Sequence, residues 1–187
     1  MAPKPKIRHV DLAALGLTIM ATIVQIVGFG IPNWWTFEYF DGRTLVIGIV
    51  KSDGCDQLKR CDKTFIDVDN GTEWLFMTRI FELFGVILCL LSTIVHIAFL
   101  PTRNFNVRSV AIYALAAASI FILAGSIIFA VMHTKLVTTV NENKGEQTTG
   151  PGYGLCIFSG LLAMAAAIVT GAVTVRKGED YYIINAV

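Results

Sequence analysis

Charged residues are scarce in this chain. Asp, Glu, Lys and Arg make up 16% of the 187 residues, and fifteen basic side chains nearly balance fourteen acidic ones. Without a basic excess, nucleic-acid binding has no electrostatic support. The three histidines, His9, His96 and His133, are far apart, and no Ser/His/Asp or Cys/His grouping can be proposed from their spacing. We therefore expect no enzyme, no cofactor and no metal site.

Charge is almost completely missing from four long apolar blocks. They cover residues 12–31, 80–100, 110–132 and 153–175, and the ionisable side chains within them are Glu82 and His96. At 1.5 Å per residue, about 20 helical residues cross a hydrocarbon core of roughly 30 Å. Four helices of this kind in a soluble core would need far more polar chain to cover them. The pattern predicts a single four-span membrane domain in contact with the lipid bilayer.

Basic residues predict which side of the membrane each segment faces. Short segments with Lys and Arg stay in the cytosol. Such residues mark segments 1–11, 101–109 and 176–187, so both termini are predicted to be cytosolic. Segments 32–79 and 133–152 then form two extracellular loops at the plasma membrane.

The first outer loop contains features typical of an oxidising, extracellular environment. Cys55 and Cys61 can pair there. The disulfide would close the short loop 55–61 and would stabilise the fold by about 2–2.5 kcal/mol. Metal binding is the alternative, although two thiols without a nearby His are a poor zinc set. Asn70 begins an Asn-Gly-Thr sequon, which predicts N-glycosylation.

The same loop has strand-like patterns. Residues 34–40 are rich in aromatics, 43–50 are rich in β-branched residues, and 64–68 is a third candidate strand. Asp41-Gly42 and Ser52-Asp53-Gly54 predict turns between them. We expect a small extracellular antiparallel β-sheet formed mainly by the first outer loop. The residues expected to contact an opposing surface are Phe37, Tyr39, Phe40, Asp41 and Asp53.

These residues resemble the peripheral myelin protein, epithelial membrane protein and claudin superfamily over nearly the whole chain. The family pattern has a Trp after the first span, then Gly-Leu-Trp, then two cysteines. Trp34 or Trp35 fills the first place, Gly48 begins the second, and Val50 replaces the second Trp. Cys55 and Cys61 take the cysteine places, and Arg79 resembles an Arg that claudins carry before the second span.

The resemblance implies an all-α, left-handed four-helix transmembrane bundle beneath the extracellular sheet. It also implies a non-enzymatic function in cell–cell contact, junction or barrier assembly, with partners that are the same chain or related four-span proteins in cis or in trans. The alternative is an auxiliary subunit, like the calcium-channel γ branch, that modulates an ion channel or receptor. Loop 32–79 has a net charge of −2, from eight acidic and six basic residues. Such a loop would favour cations if it lined a paracellular route, and otherwise it is simply solvated.

Three further residues invite functional hypotheses. Ionisable groups within a span are functional candidates by default, but Glu82 lies one turn after Arg79, and we expect an ion pair between them rather than an ion or proton site. His96 is expected at the cytosolic interface. The free carboxylate of Val187 is a candidate ligand for a PDZ scaffold.

Overall fold

Four long helices and five short strands make up the fold. The structure, a computed structural model, describes residues 9–39, 44–50, 52–55, 61–64, 73–102, 105–140 and 145–185. In chain order the elements are α1 (His9–Gly30), β1 (Trp35–Tyr39), β2 (Thr44–Ile47), β3 (Ser52–Cys55), β4 (Cys61–Thr64), α2 (Glu73–Thr102), α3 (Phe105–Val140), β5 (Gly145–Thr149) and α4 (Pro151–Asn185).

The four helices contain the four apolar blocks, and all four are long and apolar enough to cross a membrane. Their outer surfaces carry large apolar side chains such as Ile94, Ile120 and Ile168, each more than 60% exposed. Many of the side chains on their inner surfaces are small or polar. On α1 the buried positions recur every three or four residues, which is the spacing of one helical face; they are Ala14, Thr18, Ala21, Thr22, Gln25 and Gly28.

The helices form a ring in which each packs on two neighbours. The α2–α3, α1–α4 and α3–α4 pairs pack extensively, whereas α1 and α2 meet less closely. Small residues permit close approach between the helices: Ala118, Ala163, Cys89 and Cys156 are fully buried. Both cysteines have free thiols.

The helices are longer than the apolar blocks predict. α2 begins at Glu73 rather than near residue 80, α3 continues to Val140, and α4 continues to Asn185. Hydropathy identifies only the part of a helix that is apolar all round. At the start of α2 the helix is stabilised by packing, since Leu75 and Thr78 are buried.

The strands form one antiparallel sheet in the order β4-β3-β2-β1-β5. Four of the five strands come from residues 32–79, which confirms the prediction of a small sheet formed mainly by that segment. Two details were wrong. Ser52–Gly54 belongs to strand β3 instead of a turn, and residues 133–152 contribute the unpredicted strand β5.

The β1–β5 pairing fixes where the two connections lie. β1 follows α1 and β5 precedes α4, and their register pairs Trp35 with Thr149 and Tyr39 with Gly145. Segments 32–79 and 133–152 therefore meet at one end of the bundle, here called the sheet end. The opposite end, here called the link end, is where α1 and α3 begin and α2 finishes.

Candidate functional site

Trp34 joins the sheet to the helices. Its ring is fully buried, and its Nε1 donates a hydrogen bond of 2.9 Å to the Gly28 carbonyl of α1. The ring packs edge-on against Phe129 of α3 and Tyr153 of α4, with centroid distances of 5.1 and 6.0 Å. A Cβ on Gly152 would lie only 2.5 Å from the Trp34 ring, so α4 needs glycine there.

The faces of β1 separate core from surface. Trp35 and Phe37 are buried and point towards the helices, whereas Glu38 of the same strand is exposed. Because side chains alternate along a strand, Thr36 and Glu38 lie on the opposite face. Phe37, which was expected to be a contact residue, is therefore a core residue. The alternation of aromatic and polar residues in Trp35-Thr36-Phe37-Glu38 was the signal for this orientation.

Gly48 and Arg79 hold the turn that follows β2. A Cβ on Gly48 would lie 2.5–2.7 Å from the backbone of Pro32, so only glycine lets the two segments touch. Arg79 of α2 donates from Nε to the carbonyl of Ile49. Trp34, Trp35, Gly48 and Arg79 are thus gathered where the sheet rests on the helix ends. Val50, in place of the second Trp of the family pattern, is 39% exposed.

Cys55 and Cys61 are direct cross-strand partners in the β3–β4 register. The structure describes their backbone, and the disulfide between them stays a prediction. Asp53 lies in β3 opposite Val46 and Lys63, and Tyr39 ends β1. The other predicted site residues, Phe40, Asp41, Asn70 and Val187, lie outside the described residues.

Glu82 is the centre of a buried polar cluster nearer the sheet end. Its side chain is fully buried. Gln25 of α1 donates from Nε2 to Oε2 at 2.7 Å, and Ser126 of α3 donates from Oγ to Oε1 at 3.1 Å. The expected ion pair with Arg79 was wrong, because Arg79 turns towards the sheet while Glu82 turns into the bundle.

A second polar cluster occupies the link end. Arg108 of α3 is 2% exposed, forms an ion pair of 3.4 Å with Asp11 of α1 and donates to the Thr170 carbonyl of α4 at 3.0 Å. Its guanidinium lies 5.4 Å from the centre of the Phe99 ring. One arginine therefore connects all four helices.

His96 belongs to the same cluster. It is 4% exposed, with Nδ1 at 3.5 Å from Thr18 Oγ1 and Nε2 at 3.4 Å from Thr170 Oγ1. The ring points inward between α1 and α4, and its position at the cytosolic interface stays a prediction. With Asp11 and Arg108 it lines a cavity of about 10 Å³, which is room for about one water molecule.

The sequence interpretation missed most members of these clusters. Thr18, Thr22 and Gln25 recur at helical spacing within an apolar span, and that periodicity marked the inner face of α1. Arg108 was taken as a simple cytosolic charge. Its position within three residues of a long apolar block was the signal that it could turn into the bundle.

The polar side chains of both clusters connect helices to one another. Among the described residues, no three His, Cys, Asp or Glu side chains converge to hold a metal ion. The chain matches no model of a known protein family and no curated protein.

Proposed function

We propose that this chain is a claudin-like, non-enzymatic four-span protein of the plasma membrane that acts in cell–cell contact through its sheet. The observation that carries the proposal is that both connections at one end of four apolar helices combine into one sheet. Large exposed apolar side chains around all four helices suit lipid, since soluble proteins rarely expose such continuous apolar surface.

An extracellular position of the sheet follows from the charge pattern. The link end carries the basic segments and is placed in the cytosol by the positive-inside rule. The Cys55–Cys61 register supports a disulfide, because antiparallel partners have Cα atoms about 4.5–5.5 Å apart, within the usual disulfide range. We expect tags at either terminus to stain only permeabilised cells, and staining of intact cells would contradict this orientation.

The contact surface we propose is the face of the sheet that points away from the helices. Residues that are direct partners on neighbouring strands share a face of the sheet. The partners of Thr36 and Glu38 on β2 and β5 therefore lie on the same face as these two residues. We call it the outer face, and its residues are Thr36, Glu38, Thr44, Val46, Glu146 and Thr148. It does not include Phe37, whose side chain is buried.

A contact assay tests the function. The chain is expressed in cells that do not adhere to one another, and its enrichment where two expressing cells touch is measured at matched surface level. Reversing charge on the outer face with Glu38→Lys and Glu146→Lys is expected to change this enrichment, because both side chains are exposed. Glu73→Lys is the control for each substitution made singly, since it makes the same charge change on an exposed residue outside the sheet.

Even distribution of the wild-type chain would contradict the proposal and favour the auxiliary-subunit alternative. In that case the chain should gather only when its channel or receptor is co-expressed, and it should co-purify with that protein from native tissue in mild detergent. A PDZ scaffold bound through Val187 is compatible with either function and is tested by deleting that residue.

A further inference from the structure

Glu82 is a buried carboxyl group that has no charge partner among the residues the structure describes. Its hydrogen-bond donors are the Gln25 amide and the Ser126 hydroxyl, both neutral. The side chains that face it from the other helices are Gln25 of α1, Ser126 of α3 and the Cys156 thiol of α4. On its own helix, Arg79 directs its Nε to the Ile49 carbonyl. An ionised carboxylate here would be a buried charge held only by neutral groups, which is strongly unfavourable.

Gln25 has the complementary problem. Its Nε2 donates to Glu82, but its Oε1 is buried and has no hydrogen-bond donor among the described residues. A buried acceptor without a donor is costly, because it lost its hydrogen bonds to water on folding. The two anomalies lie on side chains that already touch each other.

One proton bound to Glu82 would remove both the buried charge and the unsatisfied Gln25 acceptor. We infer that Glu82 and Gln25 form a proton-binding site between α1 and α2, in which the neutral carboxyl donates its O–H to Gln25 Oε1. Gln25 Nε2 donates to the other carboxyl oxygen in return, and the Ser126 hydroxyl donates to Oε1 of Glu82. The carboxyl and the carboxamide then form a reciprocal pair of hydrogen bonds with no net charge.

The site has a consequence for the packing of α1 on α2. These helices meet less closely than the other neighbouring pairs, and side-chain hydrogen bonds such as Thr22 to Thr93 at 2.8 Å connect them. Loss of the proton would set a charged carboxylate against the Gln25 carbonyl oxygen across this interface. The bound proton therefore favours close packing of α1 on α2. This inference does not depend on which partner the sheet contacts.

Infrared spectroscopy of the full chain in lipid nanodiscs tests the site. At neutral pH the wild-type spectrum is expected to contain the C=O band of a protonated carboxylic acid, and Glu82→Gln is expected to lose it. Glu73→Gln is the matched control, because it makes the same substitution on an exposed glutamate of the same helix. Absence of the band from the wild-type chain would overturn the proposal.

A second variant tests the pairing with Gln25 and does not depend on Glu82→Gln folding. Gln25→Met replaces the amide with an apolar side chain of similar length and so removes both of its hydrogen bonds with Glu82. The acid band is expected to remain and to shift in frequency, because its hydrogen bonding changes. An unshifted band in Gln25→Met would show that Gln25 is not the partner of the proton.

Discussion

A single tryptophan connects three elements of this fold. Trp34 donates to the backbone of α1, and its ring contacts side chains of α3 and α4 while its own backbone leads into β1. Removing it would open a cavity where the sheet meets the helices, so the loss of stability should be larger than for an aromatic residue on the exposed surface of the helices.

Replacement of Trp34 by Ala is predicted to destabilise the chain by about 3–5 kcal/mol, the usual range for a fully buried large aromatic residue. Trp34→Phe should lose about 1 kcal/mol from the missing hydrogen bond, in addition to a packing loss. Thermal unfolding in detergent, followed by near-ultraviolet circular dichroism, measures both. Tyr113→Ala is the control, because Tyr113 is 74% exposed; an equal loss there would contradict the role assigned to Trp34.

The Arg108–Asp11 ion pair predicts strong coupling between two residues. Asp11→Leu alone would leave a nearly buried guanidinium without its carboxylate, and Arg108→Met alone would leave the carboxylate without its cation. Each is predicted to cost about 3–5 kcal/mol, whereas the double variant should cost clearly less than the two together. A double-mutant cycle on unfolding free energies measures this, and additive losses would show that the pair is not coupled.

At the scale of elements, the turn after β2 depends on glycine. Gly48→Ala is predicted to destabilise the chain by about 1–3 kcal/mol, because the new methyl group would overlap the Pro32 backbone. Gly16 is the matched control in α1, where a Cβ would meet nothing within 4 Å. Gly16→Ala should gain up to about 1 kcal/mol from higher helix propensity. The sheet's proteolysis rate and the unfolding midpoint report both effects, and a neutral Gly48→Ala would refute the close approach.

The elements also show how far sequence reasoning reaches. Four apolar helices and a small antiparallel sheet follow from hydropathy and β-propensity, because long apolar runs and strand patterning are strong local signals. Local patterns do not predict the helix ends, strand β5 or the partners of Glu82, because these depend on contacts between segments distant in the chain. Gln25 and Ser126 are 57 and 44 residues from Glu82, and no local pattern relates them.

At the scale of the whole molecule, the β1–β5 register can be tested by crosslinking. Thr36 and Thr148 are direct partners, so cysteines at both positions are predicted to form a disulfide, which mass spectrometry of the digested chain would identify. Thr36→Cys with Thr149→Cys is the control. Thr149 pairs with Trp35 instead, and its side chain points to the other face of the sheet. Efficient crosslinking of the control pair would show a shifted register.

The β1–β5 pairing also means that the sheet cannot be completed until late in synthesis, after α3 has left the ribosome. β1 to β4 leave the ribosome early, yet the partner of Trp35 is Thr149, more than 100 residues later. Until β5 has been synthesised, β1 presents an unpaired strand edge, which is the kind of surface that draws other strands. A nascent or truncated chain that ends before β5 would therefore expose that edge at the sheet end, where chaperones that recognise unpaired strands could bind it.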